Sequence, residues 1–352
     1  MSSITFMIGN GFDLRMGMKT RFADMYEGYI AQESPSIAIE RFKEMLRKDA
    51  PEYKTWGDFE MAMAEKAKEF EDEAAFIECL RDFKLYMAGH LQVEQKQFKN
   101  RMGVRRDTGK LCKNEARDSL QNFYMGLSPN VRNKFKAIGI DVYPEYKAIS
   151  FNYTDIFDTL LFPGMKIVHI HGTLDAEVVL GADNLDQVKG LPYIATRRFM
   201  RAFIKPEFNN GYNSERVTEA EEIIKNSNII CIYGMSLGES DHSWVVRLKE
   251  WLLEDEDHHL VYFMYDETVY NRLLWDAIMD AEEDRIDSFL ERFCDSEAEK
   301  ERIYKQIHIP VGYDIFKVDE ILKNEETLAG REIETERERI KFSEEEKART
   351  FA

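Results

Sequence analysis

Asn228-Ile229-Ile230-Cys231-Ile232-Tyr233 runs straight into Gly234-Met235-Ser236-Leu237-Gly238-Glu239-Ser240-Asp241. The apolar run is short and has no polar alternation, which predicts a strand buried on both faces. The glycines after it predict a turn, and residues 240–254 carry the spacing of an amphipathic helix. The same grammar recurs on either side. Ile4 to Ile8 stops at Gly9, Lys147 to Phe151 (KAISF) stops at Asn152, and Lys166 to Ile170 stops at His171. Leu260 to Tyr265 (LVYFMY) is another buried strand, while Glu177 to Leu180 and Ile307 to Pro310 are shorter candidates. Helical spacing fills 154–161, closed by Pro163-Gly164, and recurs near 195–204, 215–226 and 267–294. Apolar strands separated by helices predict an α/β fold with a Rossmann-like parallel sheet covered on both faces.

Residues 20–144 read differently. Trp56, Phe59, Met63 and Phe70 keep helical steps, and breaks fall near Gly103, Gly109 and Pro129. The chain therefore divides into a nucleotide-binding domain of 1–19 plus 145–312, a helical insertion over 20–144, and a charged C-terminal helix or tail over 313–352. Residues 323–349 hold nine Glu against seven Lys or Arg, as expected of a solvated helix or frayed tail. Residues 96–113 hold seven basic side chains against one Asp. A solvated loop between helices accounts for them, and an anion or partner site is the alternative.

Composition narrows the function. With 48 basic and 66 acidic residues among 352, the net charge of −18 argues against direct nucleic-acid binding and against anionic membrane surfaces. No apolar run reaches the roughly 18 residues of a membrane span, and the N-terminus does not read as a signal peptide. Cys79, Cys112, Cys231 and Cys294 are widely spaced, so no zinc and no disulfide scaffold is expected, and the cytoplasm is the expected location.

The chemistry is expected at strand ends, because ligands of open α/β sheets bind at the carboxyl edge. Gly9-Asn10-Gly11-Phe12-Asp13 allows close approach of a phosphate to main-chain N–H groups, and a plain strand-to-helix turn accounts for it equally. Asn152 closes a strand with both donors and an acceptor, while Thr154 and Asp155 suit a helix cap. His169 and His171 fall on one face if the strand alternates, and Gly172 leaves His171 room for a ligand. Histidine titrates near ~6.5, which suits a base at neutral pH. Gly234, Ser236 and Asp241 follow the clearest strand and suit a sugar or phosphate, or simply a turn.

Taken in order, IGNGFDLRMGMKTRF from Ile8, WGDFE at 56–60, SFNYTD at 150–155, HIHGTL at 169–174 and YGMSLGESDHSW at 233–244 resemble the AbiH family of bacteriophage abortive-infection proteins. That family in turn resembles the sirtuin-like NAD-processing fold. The resemblance implies phosphate-side glycines at Gly9 and Gly11, a sirtuin-type asparagine at Asn152 and a catalytic histidine at His171. It implies that Gly234 and Ser236 lie near the adenosine half of the cofactor. Asp13 stands where sirtuins usually carry a small residue. Thr154 stands where sirtuin-like NADases often have Asp, Asp155 being one place later.

The activity so implied is an NAD glycohydrolase of anti-phage defence, with a phage component as trigger. His171 would be the base and Asn152 the ribose or water positioner, and a homo-oligomer is compatible with the sequence. Two further readings stand beside it. One is a non-catalytic nucleotide sensor. The other is a metal-dependent hydrolase using His169, His171 and Asp241 or His242.

Overall fold

The computed structural model describes residues 2–49, 56–140, 142–160, 165–211, 215–264 and 275–350. Its centre is β1 (Ser3–Ile8), buried along its whole length, with Ile4 to Ile8 paired to parallel neighbours on both sides of the sheet. One neighbour is β2 (Glu145–Ser150), which then pairs with β3 (Lys166–His169). The other is β4 (Ile229–Tyr233), followed outward by β5 (His259–Phe263) and β6 (Ile307–His308). The six strands run in the order β3-β2-β1-β4-β5-β6, all parallel. The fold is thus mixed α/β.

This order sends the chain to one side of β1 through β3 and to the other side from β4 onward. The loops leaving β1 and β4 part in opposite directions, and a crevice opens between them at the carboxyl edge.

Alternation along the strands divides the core. Ile4, Phe6 and Ile8 face one layer with Cys231 and Val261, whereas Met7 faces the other with Ile230, Ile232 and Leu260. Burying each such side chain contributes roughly 1.5–3 kcal/mol relative to exposure. The helices between β1 and β2 do not share one core. Phe98, Cys112, Leu120, Phe123 and Phe135 pack on the sheet. Phe22, Tyr29, Phe42, Phe59, Phe76 and Phe83 form a separate aromatic cluster, joined by Phe199 and Phe203 from beyond β3.

Several local expectations are corrected. Glu177 to Leu180 is not a strand; Val178 makes only an isolated bridge with Gly172. Residues 96–113 are not a loop. They end the Glu73–Met102 helix and begin the Thr108–Gln121 helix, with a short turn at Gly103. Their arginines face acids of the C-terminal Val318–Thr350 helix: Arg101 pairs with Asp319 and Glu326, and Arg105 with Glu325 and Glu332. Nor is that helix solvated from its start, since Val318 and Leu322 are buried in the sheet core with Ile315 and Phe316. The break expected near Pro129 falls just before it, and Pro129 starts the Pro129–Ala137 helix as a first-turn proline does. Pro163-Gly164, Tyr265, residues 267–274 and the Trp56 side chain lie outside the described residues. Among the described residues, no helix is long and apolar enough to cross a membrane.

Candidate functional site

A cavity of about 460 Å³ fills the crevice, walled by the loops after β1, β2, β3 and β4 and by the end of β5. Gly9, Asn10, Gly11, Asp13, Asn152, His171, Gly234, Ser236 and Asp241 all line it. Phe12, expected with them, does not. Its ring is buried edge-on against Phe157, Tyr233 and Phe316, because Phe12 lies on the core-facing side of the Gly11–Arg15 helix.

The glycines have a different task from the one expected. Gly9 N–H donates to Tyr233 O and Gly11 N–H to Gly234 O, at 2.9 and 2.8 Å. Both donors are therefore spent on backbone rather than held for a phosphate. A Cβ on Gly11 would meet Gly234 Cα, and Gly234 itself has φ +70, so the two loops approach at a distance only glycine permits. Gly172 is similar. With φ +78 it lies against the Glu177 backbone, which occupies the space expected for a ligand. Asn10 also turns inward, exchanging hydrogen bonds with Thr20: Nδ2 donates to its carbonyl and Oδ1 accepts from its hydroxyl.

Two aspartates of the lining, Asp13 and Asp241, stand in contrasting company. Asp13 accepts from Asn152 Nδ2 at 3.0 Å and from Thr154 Oγ1 at 2.7 Å. The two departures from the sirtuin pattern, Asp13 and Thr154, are thus partners in one contact. Burial pushes the Asp13 carboxyl up to about 7, although the Thr154 and Asn152 bonds pull the other way. Asn152 is 5% exposed, and its Oδ1 accepts no hydrogen bond from the described residues.

Asp241 sits opposite in function. Its Oδ1 takes both His171 Nε2 and Lys205 Nζ, each at 3.0 Å. Lys205 reaches on to Glu60 Oε2 at 2.9 Å and to the Ser240 carbonyl at 2.9 Å. Glu60 Oε1 accepts the Gly181 N–H. Burial opposes the Asp241 charge, yet Lys205 and His171 outweigh it and hold the carboxyl well below its usual range. Burial likewise opposes the Lys205 charge, and Asp241 with Glu60 hold its ammonium above the ordinary lysine value. The chain Glu60–Lys205–Asp241–His171 joins a helix before β2 to loops after β3 and β4.

His171 is clamped at both ends. Nδ1 lies 3.1 Å from Phe151 O and Nε2 3.0 Å from Asp241 Oδ1. Both partners are acceptors, so both contacts form together only when each ring nitrogen carries hydrogen. Neither nitrogen then offers a lone pair to the cavity. The His169 ring goes elsewhere, to Asn152 O and Asp158. His242 lies outside this cavity's wall. No group of three or more His, Cys, Asp or Glu that could hold a metal ion occurs among the described residues.

The motifs that converge here also decide the family. A sequence family described as "Bacteriophage abortive infection AbiH" matches residues 5–264, well over half of the chain. The chain belongs to the AbiH family. The matched span runs from β1 to the end of β5 and contains every cavity residue described above. Membership places the chain among proteins of bacteriophage abortive infection. None of the curated proteins compared with it matches.

Lys205 was not legible as a site residue in the sequence. It follows Ile204 at the start of the Lys205–Gly211 helix, and pairing of this segment with Ala182 sets it behind the cavity wall. Glu60 stood inside WGDFE, but its role depends on Phe59 anchoring that helix in the aromatic core.

Proposed function

We propose that this AbiH chain acts by binding a nicotinamide dinucleotide in the crevice and hydrolysing its ribose–nicotinamide bond. One observation carries the reading: Asn152 is a buried residue of the cavity lining, its Nδ2 is fixed by Asp13, and its Oδ1 finds no hydrogen-bond partner among the described residues. An unpaired buried acceptor costs roughly 1–3 kcal/mol, which a ribose hydroxyl or a positioned water would relieve. The strand order is that of dinucleotide-binding α/β domains, which supports a Rossmann-like, sirtuin-like assignment.

The chemistry asks little of the protein. Nicotinamide leaves as a neutral ring with the bonding electron pair, so no acid is needed. The ribose centre passes through an oxocarbenium-like state, which a nearby carboxylate stabilises. Asp241 lines the same wall, with one carboxylate oxygen engaged by Lys205 and His171. Water completes the reaction and releases one proton. For His171 to take that proton, one ring nitrogen must first give up its own hydrogen and turn from Asp241 or the Phe151 carbonyl toward the water.

That clamp favours a second reading, in which the cavity binds the nucleotide as a signal without cleaving it. Incubating the purified protein with NAD and following free nicotinamide by chromatography separates the two. Hydrolysis predicts nicotinamide release that Asn152→Ala lowers about a hundredfold while binding persists. NAD bound and recovered intact, together with normal NAD levels in protected infected cells, selects the sensor.

A further inference from the structure

We propose that Arg21 receives the phosphate groups of the ligand at the rim of the crevice. The inference rests on the dinucleotide reading and names the group that would hold its pyrophosphate.

The charge around the cavity leaves few alternatives. Its lining holds the acids Asp13, Glu60 and Asp241, the guanidinium of Arg21 and the imidazole of His171. His171 is committed to Asp241, and Lys205 behind the wall is committed to Asp241 and Glu60. A phosphate placed deep in the crevice would meet carboxylates. The N–H groups of Gly9 and Gly11, the other candidates, already donate to carbonyls. The Gly11–Arg15 helix has five residues, too few to present an anion site of its own.

Arg21 differs from every other charged group here. It is exposed, it lines the cavity, and its guanidinium makes no ion pair or hydrogen bond with the described residues. Its backbone is nevertheless fixed. Thr20 is tied to Asn10 through both carbonyl and hydroxyl. Lys19 N–H donates to Glu94, and Lys19 O meets the His90 ring. Arg21 N–H donates to Asp24. A planar guanidinium on an anchored backbone suits two-point contact with a phosphate and loses little freedom on binding. Unpaired acceptor inside and free cation at the rim suit a ligand with hydroxyls at one end and phosphates further out.

Calorimetric titration of the full chain with ADP-ribose and with adenosine tests this. Arg21→Gln is expected to weaken ADP-ribose binding about tenfold to a hundredfold and leave adenosine unchanged. It is also expected to flatten the salt dependence of ADP-ribose affinity. Arg21→Lys should recover part of the loss, because it restores charge without the fork. Equal ADP-ribose affinity and salt dependence in wild type and Arg21→Gln overturns the proposal. So does an equal loss for both probes, or a wild type that binds ADP-ribose no better than adenosine. The Arg21 effect appearing while NAD is recovered intact would sink hydrolysis alone. A wild type that binds neither probe sinks both.

Discussion

The two sides of the crevice each carry an aspartate and treat it in opposite ways. Asp13 has only an amide and a hydroxyl for company, and burial raises its carboxyl to about 7. Asp241 has an ammonium and an imidazole, and its carboxyl is driven far down. Desolvation opposes the charge on both, so the presence or absence of an adjacent cation decides which acid stays ionised. Paired carboxyl groups pushed apart in this manner can hold different protonation states at one pH. One side of the cavity can therefore present a neutral acid while the other keeps a fixed negative charge.

The contrast breaks most severely at Lys205. Lys205→Met leaves Glu60 and Asp241 buried without their cation, and a loss of about 3–5 kcal/mol in denaturant unfolding is expected. An unchanged midpoint would show that the chain of charges is not what holds these loops.

Asp13→Asn sharpens the other side through pH. The folded carboxyl titrates near 7 and the unfolded one near 3.8, so the folded state binds the extra proton between those values. That contribution is present below the lower value and is lost as pH rises through the upper one. The variant lacks the titration. Its stability relative to wild type should climb by up to about 1.4 kcal/mol per pH unit across the window and level off above it. A constant difference from pH 4 to 8 would refute the raised carboxyl.

A smaller effect is expected from Thr154→Val. Removing the donor that favours the charged form should move the Asp13 titration still higher, seen as the same stability curve displaced to higher pH. Displacement to lower pH would mean that Thr154 accepts rather than donates. The mildest change is predicted far from the crevice, where Arg105 meets the half-buried Glu325 and the exposed Glu332. Arg105→Ala should lower the melting temperature slightly at low salt. At about 1 M salt, where screening reaches ~3 Å, the difference should vanish.

Strand residues were the most legible part of the chain. Ile4 to Ile8 and Ile229 to Tyr233 are apolar without alternation, and a strand covered on both faces is what such a run dictates. Glu177 to Leu180 looked similar but found one bridge partner instead of a ladder, and pairing is not encoded within four residues. Asn152, His171 and Asp241 were legible because strand ends of a parallel sheet collect at one edge. What each does there was not. His171 was read as a free base, yet its ring is held by a carbonyl twenty residues back and a carboxylate seventy residues on.

By itself the sequence determined the α/β class, the helical stretch after β1 and the edge where a site forms, because periodicity and strand-end composition are local properties. Tertiary structure alone decided the charge of the site. Asp13 meets Thr154 across 141 positions, and Lys205 meets Glu60 across 145. Protonation depends on burial and on neighbours through space, and neither quantity exists along the chain until the sheet and the aromatic cluster have closed around these side chains.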